Sequence, residues 1–110
     1  MALIILKSLG QAQLTNVAAA VVSPSGVTFV IKKAVFTNTD VVARTITVYK
    51  VAAAGSPGAT NTVISAFSLS AGQAYVAGEL ANMVLESGKT LQALASTAAV
   101  VNFYADGLQQ

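Results

Sequence analysis

A chain of 110 residues forms a single domain, residues 1–110, able to bury roughly 65% of its unfolded surface without staples. Hydrophobic residues make up 55% of it and charged residues 9%, and cysteine and histidine are both absent; this excludes a disulfide framework, a Cys- or His-ligated metal site and any Ser–His or Cys–His nucleophile pair. The net charge of +2 comes from scattered cations, Lys7, Lys32, Lys33, Arg44, Lys50 and Lys89, so no clustered nucleic-acid footprint is expected despite a pI of 9.2.

The N-terminus, Met1-Ala2-Leu3-Ile4-Ile5-Leu6-Lys7, lacks the basic region of a secretory signal, and its apolar run is too short for one. No stretch approaches the ~20 apolar residues of a membrane helix, so neither a membrane partner nor export is expected, and synthesis is expected in the cytoplasm. Residues 1–15 read as either an N-terminal arm laid on a neighbour or an edge strand. Ser23-Pro24-Ser25-Gly26 is a turn by its Pro and Gly.

Gly26–Ala54 holds two long runs rich in Val, Ile, Thr, Phe and Tyr, broken at Asn38-Thr39-Asp40. Such residues suit a pleated, half-buried surface, and Asn and Asp suit a tight connection. In Arg44–Val51, Ile46 and Val48 alternate with Thr45, Thr47 and Tyr49, the period of a strand with one dry face. The reading is a long antiparallel hairpin at the centre of the fold. Lys32 and Lys33 should then point to opposite faces.

Gly55-Ser56-Pro57-Gly58-Ala59 is an exposed loop. Thr62–Leu69 is a strand with Val63, Ser65, Phe67 and Leu69 on one side and Ile64, Ala66 and Ser68 on the other. Ser70-Ala71-Gly72 turns the chain into a short strand, Gln73–Val76. Gly78–Met83 is too short for a free-standing helix and predicts a single helical turn or a bridge. Two apolar runs flank Glu86-Ser87-Gly88-Lys89, where Gly88 supplies the positive φ of a turn. Ala98–Ala105 is the last strand, with Val101 and Phe103 opposed to Asn102 and Tyr104. Short strands with turns between them and no long helix indicate an all-β fold, an antiparallel β-sandwich or jelly roll of about eight strands.

Chemistry is sparse. The carboxylates, Asp40, Glu79, Glu86 and Asp106, lie at or near turns. Glu86 and Lys89 read as a solvated pair across their turn, and Asp40 as a turn residue in a loop with too few oxygens for calcium. Ser87-Gly88-Lys89-Thr90 lacks the upstream glycine of a phosphate-binding loop. No enzymatic activity and no cofactor are expected. Tyr49, Tyr75 and Tyr104 raise the option of a sugar-stacking platform, but Trp is absent, and the preferred reading is rings buried with hydroxyls at a wet edge. With so few charges, part of the surface is expected to be covered by other chains.

Lys33-Ala34-Val35-Phe36-Thr37-Asn38-Thr39-Asp40, Arg44-Thr45-Ile46-Thr47-Val48-Tyr49, Leu85-Glu86-Ser87-Gly88-Lys89-Thr90-Leu91-Gln92-Ala93 and Val101-Asn102-Phe103-Tyr104-Ala105-Asp106-Gly107 together resemble the small β-sandwich proteins of tailed-phage virions, above all capsid decoration (cement) proteins. The resemblance implies a homotrimer on the capsid surface that clamps adjacent subunits of the major capsid protein. The contacts expected on that reading are Leu3, Ile4, Ile5 and Leu6 at the N-terminus and Ser56, Pro57, Gly58, Ala59 and Thr60 in the loop. The alternative is a neck- or tail-associated module that binds a glycan or a host receptor.

Overall fold

Two antiparallel sheets, packed face to face, organise the computed structural model, which describes residues 3–110. The strands are β1 (Ile5–Gln13), β2 (Ala19–Val22), β3 (Phe29–Asn38), β4 (Arg44–Val51), β5 (Thr62–Leu69), β6 (Ala74–Val76), β7 (Met83–Leu85), β8 (Thr90–Ala95) and β9 (Val101–Gln109). A single 3₁₀ turn, Gly78–Leu80, separates β6 from β7. The first sheet runs β1-β9-β3-β6, with β7 also on β3, and the second runs β2-β8-β4-β5. The fold is an all-β antiparallel sandwich.

Gly26–Ala54 is not a hairpin. β3 lies in the first sheet against β9, β6 and β7, while β4 lies in the second between β8 and β5. Each run is apolar enough to be a central strand, and each finds its neighbours elsewhere. Their inward residues, Ile31, Ala34 and Phe36 on one and Ile46 and Val48 on the other, belong to one core between the sheets. Turn residues at 38–40 serve a crossover between sheets as well as they serve a hairpin. The same holds for Glu86–Lys89, which joins β7 to β8 across the sandwich; Gly88 there has φ +87.

Residues 1–15 resolve in the same way. Met1 and Ala2 lie outside the described residues, and Ile5–Gln13 is no free arm but an edge strand in register with β9, from Ile5 opposite Gln109 to Gln13 opposite Asn102. Alternation explains the pairing: Leu9 and Leu14 are buried, and β9 offers a full-length partner.

Register shifts break the period of two in several pairings, β2 against β8 among them, and those in β1, β5 and β3 decide which residues face the core. At Leu9 the β1–β9 register shifts, which turns both Leu9 and Gly10 toward the second sheet. Gly10 lies so close to β2 that a β-carbon there would stand 2.2 Å from the Val21 carbonyl oxygen. In β5, Ala66 has φ 45 and the register against β4 slips between Ile46 and Val48, so Ile64 and Leu69 face the core rather than opposite sides. At Lys32 the β3–β9 register shifts between Ile31 and Lys33, and both lysines are exposed between buried Ile31 and Ala34, correcting the expectation of opposite faces.

Gly107 makes the Lys32 bulge possible. A β-carbon on it would lie 2.0 Å from the Val30 carbonyl oxygen and 3.0 Å from the Lys32 amide nitrogen, both backbone atoms. Gly107→Ala is therefore expected to cost about 2–3 kcal/mol. The thermal midpoint should fall by roughly 10 °C. An unchanged midpoint would mean that the bulge relaxes freely.

Candidate interaction surface

The inner face of the first sheet is core, and its outer face can be read row by row from the pairings. Leu6 stands opposite Leu108, which stands opposite Val30, which stands opposite Val84. One row along, Ser8, Asp106 and Lys33 are aligned. Next come Gln11, Tyr104, Val35 and Val76, and then Gln13, Asn102, Thr37 and Ala74. Leu6 is 83% exposed, Val76 57% and Val84 44%. One apolar row, most exposed at Leu6 and Val84 and half-buried at Val30 and Leu108, thus lies on one side of a charged one. On the other side is a mixed row of Gln11, Tyr104, buried Val35 and exposed Val76, across a sheet face that ordinarily would be polar. The outer face of the second sheet carries Thr45, Thr47, Tyr49, Ser68 and Gln92, with Leu94 the apolar partner of Thr47.

The contacts expected from sequence fall on both sheets. Leu3, Ile4, Ile5 and Leu6 are all exposed, and Leu6 joins the apolar row. Ser56, Pro57, Gly58, Ala59 and Thr60 lie in the β4–β5 loop, exposed except for half-buried Gly58. That loop is stiffened by Asn61, whose side chain accepts from the Gly58 amide and donates to the Ser56 carbonyl. β1 lies against β2, so the edge made by β5 stands on the far side of the sandwich. The two expected contact segments are not one surface. Val30, Val76, Val84 and Leu108 were not singled out from sequence, because only the register brings them into line with Leu6.

Charged groups on this sheet divide into occupied and free. The Lys7 ammonium lies 2.8 Å from Gln109 Oε1 and 5.7 Å above the Phe29 ring, at the exposed end of the sandwich. Lys32 donates to Asn82 Oδ1 at 2.6 Å. Asp106 and Lys33 stand opposite one another, yet neither side chain has an ion pair or hydrogen bond among the described residues. The ion pairs lie elsewhere: Arg44 with Asp40 at 2.7 Å and Lys89 with Glu86 at 2.7 Å. The Arg44 hydrogen bond, helped by the Val41 amide, holds the Asp40 carboxyl below its usual range, and the Lys89 bond does the same for Glu86. Both serve their own turns.

The tyrosines have separate roles. Tyr75 stacks on Phe67 with centroids 4.3 Å apart, closing the gap between β6 and β5, and its hydroxyl donates to Glu79. That bond, then desolvation, raises the Tyr75 pKa to about 12. In the unfolded chain it returns to about 10, so its contribution to stability is complete below that pH and is lost as pH rises through the folded value. An absorbance titration should show a late tyrosine phase that Glu79→Gln moves to lower pH. A titration unchanged by Glu79→Gln would refute the bond. Tyr49 is half-buried on the second sheet. Tyr104, on the outer face, lines a groove of about 490 Å³ with Gln11, Gln13, Thr37 and Asn102.

Among the described residues, no group of three or more acidic side chains is placed to hold a metal ion. Among the same residues, no helix is long and apolar enough to cross a membrane.

No family model matches the chain, and no curated protein matches it in sequence. A chain in a structure of infectious bursal disease virus, Gx strain, is similar in fold at a TM-score of 0.43 and 13% identity. The match covers 96% of this chain and 30% of that one. A likeness at that level says nothing about function, and the fold rests on the strand order itself.

Proposed function

We propose that this protein is a structural component of a virion, a decoration or cement protein that trimerises and stabilises a phage head by binding the lattice of its major capsid protein. The observation that carries the reading is the outer face of the first sheet: an apolar row of Leu6, Leu108, Val30 and Val84, left partly exposed on a chain poor in ionic and catalytic groups. Exposed apolar area of this kind marks an interaction site. The mechanism is burial of that face and of the N-terminal Leu3–Leu6 run at subunit interfaces, each stable contact covering on the order of 1,600 Å².

The strand order supports the reading. β6 and β7 follow one another along β3, so they count as one interrupted strand. Numbered that way, the sheets run 1-8-3-6 and 2-7-4-5, a jelly roll, the architecture of viral coat domains as well as lectins and cupins. Fold does not settle function, but the absence of histidine and cysteine removes the metal-dependent members.

The test is cryo-electron microscopy of the intact particle. Density that fits this sandwich should cluster in threes on the outer shell, each copy touching capsid subunits. Finding the chain only at the tail, or absent from the particle, rejects the reading.

A second reading is favoured by one observation, the amide-lined groove beside Tyr104. Gln, Asn and Thr groups beside an aromatic ring suit a sugar, and this would be a neck or tail module binding a glycan or receptor. A glycan array decides it: specific binding lost in Tyr104→Ala supports it, and an empty array rejects it.

A further inference from the structure

The sheet edges are poor templates for another strand. β1 bulges at Leu9. β2 is four residues long, and β5 bulges at Ala66. The remaining edge is broken between β6 and β7 by the 3₁₀ turn. These are the devices by which sandwiches avoid edge-to-edge pairing. Association through added strands is disfavoured, and the apolar outer face is left as the surface that can be covered.

What covers it is indicated by charge. Beside the apolar row lie a carboxylate, Asp106, and two ammonium groups, Lys33 and Lys32, none with an ionic partner among the described residues, Lys32 donating only to the neutral Asn82 side chain. The carboxylate of one copy complements the cations, Lys33 and its neighbour Lys32, of the next, and a face used head to tail in this way can close a ring of three rather than a two-fold pair. Opposed charges of this kind fix orientation, and the apolar row supplies the burial.

We infer that this face is the contact between copies of the chain: Leu6, Leu108, Val30 and Val84 pack against a neighbour, and Asp106 of one copy meets Lys33 of the next. The inference rests on the proposal that the protein works by self-association, and it names the surface. The expected N-terminal contact then enters through Leu6, while the Ser56–Thr60 loop is left outside this interface.

Sedimentation equilibrium on the full chain tests it, with melting curves to follow the fold. Leu6→Glu and Val84→Glu alter exposed side chains and should leave the sandwich folded. Each should weaken association by roughly tenfold or more, the cost of burying a charge in place of an alkyl group. Asp106→Lys and Lys33→Glu should each weaken it singly, and the double exchange should restore most of the loss. An in-chain pairing would move the melting curve and leave the mass alone.

The outcomes separate the two ideas. If the unaltered chain associates but all four variants retain its mass, the face is wrong and self-association stands. If the variants keep that mass but no longer bind particles, the face docks on the capsid lattice, and the inference is overturned. A double exchange that stays folded and dissociated overturns the Asp106–Lys33 contact. If the unaltered chain is a monomer, self-association itself fails and takes the inference with it.

Discussion

Asn38→Asp is expected to cost the domain about 3 kcal/mol or more at neutral pH, an effect set by an uncompensated buried charge. Asn38 is fully buried and is the one buried polar residue among the described residues. Its Nδ2 donates to the carbonyls of Val42 at 2.9 Å and of Leu69 and Ser70 at 3.2 Å. Its Oδ1 accepts the Asp40 amide at 3.0 Å. The side chain therefore ties the β3–β4 crossover to the start of the β5–β6 crossover. Aspartate has the same shape, but once ionised it places negative charge against three carbonyl oxygens and donates nothing. Asn38→Ala should cost less, about 1–3 kcal/mol for the stranded carbonyls.

The two variants separate by pH. The introduced carboxyl is held protonated by its surroundings, so its pKa in the fold lies above that in the unfolded chain. Its penalty is absent below the unfolded value and grows as pH rises. Denaturation of Asn38→Asp should therefore recover on acidification toward pH ~4, the ordinary aspartate range, whereas Asn38→Ala should show no matching change. Equal behaviour of the two would show that the carbonyls are not aimed as described.

Phe103→Ala should be as damaging, about 3–5 kcal/mol. Phe103 and Phe36 are cross-strand neighbours on β9 and β3, both essentially inaccessible, with centroids 5.0 Å apart and planes tilted by 47°. Their contact adds roughly 0.5–1.5 kcal/mol to the burial itself. A domain of this length has only about 5–15 kcal/mol of stability, so one substitution removes a large part of it. Urea denaturation should show the midpoint falling steeply in Phe103→Ala and modestly in Phe103→Leu. The loss also bears on association, because β9 carries Phe103 inward and Tyr104, Asp106 and Leu108 outward. A strand loosened from the core cannot hold its outer row flat. A small effect in both variants would mean that the aromatic pair is not the centre of the core.

Local chemistry was legible along much of the chain. The strands at 44–51 and 62–69, the turn at Gly88 and the inward placement of Val101 and Phe103 follow from β-branched runs, glycine and alternation. Partnership was not. Asn38-Thr39-Asp40 and Glu86–Lys89 are turn sequences, and turn sequences do not record whether the next strand pairs or crosses to the other sheet. Bulges at Leu9, Lys32 and Ala66 also shift parity, and Gly10, hard against Val21, and Gly107, hard against Val30, mark two of them. The candidate surface was half visible: Leu6 stood out as apolar near a terminus, but Val30, Val84 and Leu108 join it only through three separate registers.

The sedimentation-equilibrium mass of the unaltered chain at micromolar concentration tests the account most directly. Three copies of the 11.1 kDa chain in one particle, dissociating when Leu6 is made Glu, is the predicted result. A folded species of single-chain mass, unchanged as concentration rises, would contradict it.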